Sequence, residues 1–187
     1  IKQGMGNNTS VVCLADGADN CKSIAYSIAE NCKEMTYILD WFHISMKFKN
    51  IAMPEDNIEL FDSIKWNLWH GNCDKALERL RELMKIKEIA ANQSLSNKLN
   101  KLFTYISNNK VGIINYEQRK NSKLVFTSNL AESTVNTLIN ERQKGKQKML
   151  WSREGAHNVL QIRAAQRSES WSNDWESVES KIYKLAA

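Results

Sequence analysis

The chain has 187 residues, 42% of them hydrophobic, with 26 lysines and arginines against 21 aspartates and glutamates. That is enough for one sizeable core, or for a core with an appended helical piece. No apolar run approaches the roughly 20 residues that span a bilayer, and residues 1–10 carry no signal-peptide pattern, so no membrane partner is expected and a cytoplasmic location follows.

Two short apolar runs organise the rest: Val11–Ala15, ending on Asp16-Gly17, and Met35–Leu39, ending on Asp40. Between them Ile24, Ala25, Ile28 and Ala29 share one helical face. The unit reads as strand 10–16, helix 19–31 and strand 35–41, and a crossover of that length predicts a parallel pair. Asp16 and Asp40 then emerge at the carboxyl ends of neighbouring strands, where open α/β sheets place their chemistry. Gly4 and Gly6 form a loop rather than a phosphate cradle, because no helix pattern follows them. Phe42–Ile51 reads as a short helix stopped before Pro54.

From Glu55 to about Asn121 the pattern becomes helical throughout. Ile58, Phe61, Ile64, Lys65 and Leu68 fall on one face, then Leu77, Leu80, Leu83 and Met84 on another. The spacing predicts helices over 55–70, 73–90, 92–108 and 111–120. Trp66 and Trp69 read as core anchors in preference to base-stacking platforms. Leu124-Val125-Phe126 is an extended stretch, and Asn129 begins a helix to about Gln143. Ser152 caps another through about Gln166, and a last amphipathic helix carries Trp171, Trp175, Val178, Ile182 and Leu185. The expected divisions are 1–53, 54–122 and 123–187. The four cysteines, Cys13, Cys21, Cys32 and Cys73, form no Cys-x-x-Cys pair and read as buried free thiols.

The positive excess is concentrated between residues 140 and 170, where Arg142, Lys144, Lys146, Lys148, Arg153, Arg163 and Arg167 stand against Glu141, Glu154 and Glu169. Such a stripe is either a solvated face or, with Trp151 and His157 among the cations, a surface for a phosphate backbone. The acids also have two readings each. Asp16 can pin an Asp-Gly turn, Asp40 can cap the helix starting at Trp41, and Glu132 can complete a capping box with Asn129. Carboxylates at adjacent strand ends, with a third acid on a later helix and cations beyond it, also suit divalent-metal phosphodiester chemistry.

The stretches Leu14-Ala15-Asp16-Gly17-Ala18, Leu39-Asp40-Trp41-Phe42-His43, Leu68-Trp69-His70-Gly71 and Ala131-Glu132-Ser133 stand in that order. They are followed by Arg142, Lys144-Gly145, Met149, Trp151, Arg153-Glu154-Gly155 and Leu160-x-x-Arg163-Ala164-Ala165. In that order, from about Val11 to Trp175, the sequence resembles bacterial insertion-sequence transposases of the ISKra type, DDE enzymes with an RNase H-like core related to Mutator-like transposases. The resemblance implies an α/β, mostly α, chain: a partial RNase H-like core with the βαβ unit, a large helical insertion and C-terminal helices. It implies Asp16 and Glu132 as catalytic, metal-binding carboxylates, Asp40-x-x-His43 as a C/D(2)H signature, and Mg²⁺ or Mn²⁺ as cofactor. It further implies that Arg142, Lys144, Lys146, Lys148, Trp151, Arg153 and Arg163 contact double-stranded DNA, with transposon ends and target as substrates, a homodimer as a further partner and a nucleoid-associated location. The family's first catalytic Asp belongs on a strand before Val11, so the chain is expected to be a C-terminal portion that does not transpose alone. Where the family favours a Gly-rich turn before the catalytic Glu, this chain has Thr127-Ser128-Asn129-Leu130. The alternative expectation is a non-enzymatic DNA-binding or oligomerisation remnant.

Overall fold

The computed structural model describes residues 5–144, 150–168 and 171–186. The chain divides into two compact units, 1–128 and 129–187.

In the first unit, β1 (Ser10–Ala15) and β2 (Glu34–Leu39) form a two-stranded parallel sheet joined by α1 (Asp19–Ala29). The register runs from Ser10 opposite Glu34 to Ala15 opposite Leu39. Val11 and Val12 face Met35 and Thr36, side chains suited to a pleated surface. The parallel pair and its crossover helix match the pattern of the sequence. One detail of α1 differs: Ala25 is buried, but Ile24 is 61% exposed, so the inward face is narrower than the apolar pattern predicts.

The chain then becomes helical: α2 (Trp41–Lys49), α3 (Ile58–Trp69), α4 (Cys73–Lys85), α5 (Lys87–Ala91), α6 (Gln93–Asn108) and α7 (Tyr116–Asn121). Ile38 and Leu39 of β2, Ile44 of α2, Ile64 and Leu68 of α3, Leu80 and Leu83 of α4 and Leu99 and Ile106 of α6 are fully buried in one core. Each such side chain contributes about 1.5–3 kcal/mol by leaving water. The core thus welds the parallel pair to the helices that follow.

Two expected helices are interrupted. Residues 73–90 break at Ile86, whose ψ of 127° is extended. In a continuous helix Ile89 would lie about 240° round from Leu83, away from the core; the break turns it inward, and it is 1% exposed. The helix expected over 111–120 begins only at Tyr116, after a 3-10 turn (Lys110–Gly112) and an extended Ile113. Gly112 allows this, since a Cβ there would stand 2.8 Å from the Tyr37 ring and 2.9 Å from the Leu39 nitrogen. After α7, Lys123 sits in the left-handed region at φ 56°, and residues 124–128 are neither helix nor strand, with Phe126 packed on Trp69.

The second unit consists of α8 (Asn129–Val135), a π turn (Asn136–Asn140), α9 (Glu141–Gln143), α10 (Arg153–Gln166) and α11 (Trp171–Ala186). The Ser152 hydroxyl accepts from the Gly155 N–H at 3.0 Å, as its capping position requires. The π turn departs from the uniform helix expected over 129–143. Among the described residues no helix is long and apolar enough to cross a membrane.

Candidate functional site

Asp16 and Asp40 each follow the last register pair of the parallel sheet, Ala15 and Leu39, so both leave the carboxyl edge of adjacent strands. Their surroundings differ sharply. Asp40 is 2% exposed and caps α2: its Oδ1 accepts from the Phe42 N–H at 3.0 Å. The same oxygen accepts from the Ser128 N–H at 3.0 Å, and Oδ2 accepts from the Ser128 hydroxyl. His43 Nε2 lies 3.7 Å from Oδ2, an ion-pair distance when the ring is protonated. Asp40 and His43 thus lie within ion-pair distance of each other, one helical turn apart. Trp41 donates its N–H to the Phe126 carbonyl at 3.4 Å, a second tie between the start of α2 and the 123–128 segment.

Asp16 is exposed, with Oδ1 accepting from the Ala18 N–H at 2.9 Å as an Asp-Gly turn predicts. Gly17 has φ +93°, and a Cβ there would come within 2.7 Å of the Asn109 amide. Asn109, 4% exposed, donates to the Tyr105 carbonyl at 2.9 Å, and the Tyr105 hydroxyl donates to the Asp16 carbonyl at 2.9 Å. Burial, then the Asp16 charge, pushes the Tyr105 phenol well above its ordinary range, so it stays a donor. The α6 end thus clamps the turn that carries Asp16. Neither Tyr105 nor Asn109 stood out in the sequence, where Tyr105 falls within the helix expected over 92–108 and Asn109 in the connection after it.

An aromatic group adjoins Asp40. Trp41 meets Trp69 at 4.8 Å and Tyr116 at 4.9 Å between ring centroids, and the buried Tyr116 hydroxyl donates to the Leu39 carbonyl at 2.7 Å. Trp69 fills the core-anchor role expected of it. Trp66 does not: it is 59% exposed and stacked on His70, whose Nδ1 lies 3.1 Å from Glu117 Oε2.

In the second unit Glu132 stands exposed in the first turn of α8. Of the expected DNA contacts, Arg142, Lys144 and Arg153 are exposed, with the Arg142 guanidinium 5.4 Å over the Trp151 ring. Trp151 is half-buried, which leaves its face to Arg142. Arg163 is turned inward: it donates to the Leu138 carbonyl at 2.9 Å and the Thr137 carbonyl at 2.5 Å, and approaches Glu141 at 3.6 Å. It satisfies carbonyls of the π turn, where the ordinary helical ladder is interrupted. Lys146 and Lys148 lie outside the described residues.

No family model, curated protein or solved structure matches the chain. Among the described residues no three His, Cys, Asp or Glu side chains are grouped so as to hold a metal ion. Asp40 has both oxygens committed to Ser128, Phe42 and His43, so it acts as an organiser of the backbone. Asp16 keeps Oδ2 free of any hydrogen bond among the described residues, one ligand of the kind a hard divalent cation takes. The cysteines are unpaired; burial pushes the Cys73 and Cys13 thiols up, which makes them poor nucleophiles and poor metal ligands.

Proposed function

We propose that the chain is part of the catalytic core of a DDE-type DNA transposase, an insertion-sequence enzyme that cuts and joins DNA strands with Mg²⁺ or Mn²⁺. The observation that carries this is the exposed Asp16 at the carboxyl end of a parallel strand, beside the buried Asp40 at the end of the next, which has the half-buried His43 within 3.7 Å. Asp16 and Glu132 are the metal-binding carboxylates of the proposal. A bound cation would lower the pKa of an attacking water or hydroxyl and stabilise the leaving oxygen. Asp16 and Ala18 fix the turn, Tyr105 and Asn109 hold it, and Asp40 fixes the chain at Ser128. Arg142, Lys144 and Arg153 neutralise phosphates of duplex DNA, with Lys146 and Lys148 part of the same basic stretch.

A second reading, a non-enzymatic DNA-binding remnant of such an enzyme, is favoured by the absence of a three-acid group among the described residues. Duplex binding followed across salt, with nicking of supercoiled plasmid scored in parallel, tests both. Three to five phosphate contacts give a log–log salt slope of about −2.7 to −4.5. Salt-steep binding with Mn²⁺-dependent nicking that needs Asp16 favours the enzyme; without nicking, which a portion lacking the first catalytic Asp also gives, Mn²⁺ binding that needs Asp16 favours the enzyme and its absence favours the remnant. A flat salt dependence removes both.

A further inference from the structure

A cleft of about 360 Å³ opens beside the start of α2, lined by Trp41, Asp62, Lys65, Trp66 and Trp69. Three of its five lining residues are indoles. Trp41 and Trp69 are rigid walls, locked edge to face and packed against Tyr116. Trp66 is 59% exposed, with its ring stacked on His70. The two charged groups, Asp62 and Lys65, are on the same helix as Trp66, and neither has a hydrogen-bond or ion-pair partner among the described residues. Indole faces with unengaged polar groups at the rim form a stacking site with an edge reader, the arrangement by which unstacked bases are held.

We infer that this cleft binds an unpaired guanine of a DNA strand, stacked on Trp66 and read by the Asp62 carboxylate. Guanine is the base whose Watson–Crick edge offers two adjacent N–H donors, N1–H and N2–H, which pair with the two carboxylate oxygens. Adenine and cytosine offer an amino group beside a bare ring nitrogen, whose lone pair faces the second oxygen, and thymine presents carbonyls beside its one N–H. Lys65 supplies a cation for the adjoining phosphate. The site rests on the proposed function only in taking DNA as the ligand, and it involves neither Asp16 nor a metal.

The test is equilibrium binding in EDTA of single-stranded heptathymidine with a central guanine, compared with the same strand carrying central adenine or only thymine. A second strand with the fluorescent guanine analogue 6-methylisoxanthopterin at the centre reports stacking by quenching. The expected result is tighter binding of the guanine strand and quenching of the analogue. Trp66→Ala weakens binding about tenfold or more and removes the quenching, while Asp62→Asn removes the preference for guanine. Trp66 is exposed, so both variants keep the wild-type thermal melt, which is recorded alongside. Equal affinity for the three strands overturns the inference, as does an unchanged Trp66→Ala. Guanosine monophosphate binding as tightly as the strand, or a fully paired duplex competing as well, also overturns it. Nicking and salt-dependent duplex binding are scored separately, so the catalytic reading can fail while this site stands, and the reverse.

Discussion

The buried carboxylate of Asp40 holds Ser128 by both its N–H and its hydroxyl, across 88 positions of sequence. It is also the cap of α2, so one side chain ends a strand, starts a helix and fixes the return of the chain. Asp40→Ala leaves the Phe42 and Ser128 N–H groups without an acceptor and is expected to destabilise the fold by about 2–3 kcal/mol. Ser128→Ala, which removes only the hydroxyl, is expected to cost about 1 kcal/mol. Urea unfolding of the two variants checks the ranking; equal and negligible losses would show that the contact contributes nothing.

Glycine is required at two places where helices close on the strand ends. Gly17→Ala meets both a left-handed backbone and the Asn109 amide at 2.7 Å. Gly112→Ala meets the Leu39 backbone at 2.9 Å, which cannot rotate away. Both are expected to destabilise by about 1–3 kcal/mol, and the thermal midpoints should fall accordingly. Gly6→Ala, with nothing within 4 Å of the added methyl, should leave the midpoint unchanged.

The parallel pair, its crossover helix and most helices beyond were legible because they follow from local periodicity. Val11–Ala15 and Met35–Leu39 are apolar runs of strand length, and the Leu77, Leu80 and Leu83 spacing is that of one helical face. The break at Ile86 was not legible, because it answers to where Ile89 finds the core. Trp66 and Trp69 carry the same local signal, and only packing against Trp41 and Phe126 separates a wall from an exposed platform. At the candidate site, the Asp40–His43 pair could be read from its i, i+3 spacing. The clamp of Tyr105 and Asn109 on the Asp16 turn could not, since it joins residues nearly 90 positions apart. Arg163 was indistinguishable from its basic neighbours until the π turn supplied carbonyls for it.

The tyrosines give a pH prediction. Burial pushes the phenols of Tyr116 and Tyr105 well above the ordinary value near 10. The folded chain therefore keeps protons that the unfolded chain loses, and stability, full below about pH 10, declines as pH rises past it. Absorbance at 295 nm should show these two phenols ionising only with unfolding. Tyr105→Phe should flatten the alkaline decline; an unchanged profile would mean that Tyr105 titrates freely in the folded chain.

Lys123 occupies a left-handed position at the end of α7, with its N–H on the Lys120 carbonyl and the Leu124 N–H on the Arg119 carbonyl. Glycine takes that conformation without the Cβ penalty. Lys123→Gly is expected to stabilise by up to about 1 kcal/mol in chemical denaturation. A loss of stability would mean that the unfolded-chain entropy of glycine outweighs the relief.

The proposal that Asp16 and Glu132 are metal-binding carboxylates is tested most directly by Mn²⁺ titration of the chain followed by electron paramagnetic resonance of the free ion. The account predicts that Asp16→Asn and Glu132→Gln each weaken binding at least about tenfold. If both variants bind Mn²⁺ like the wild type, the carboxylates are a turn residue and a surface acid, and the metal-dependent function is contradicted.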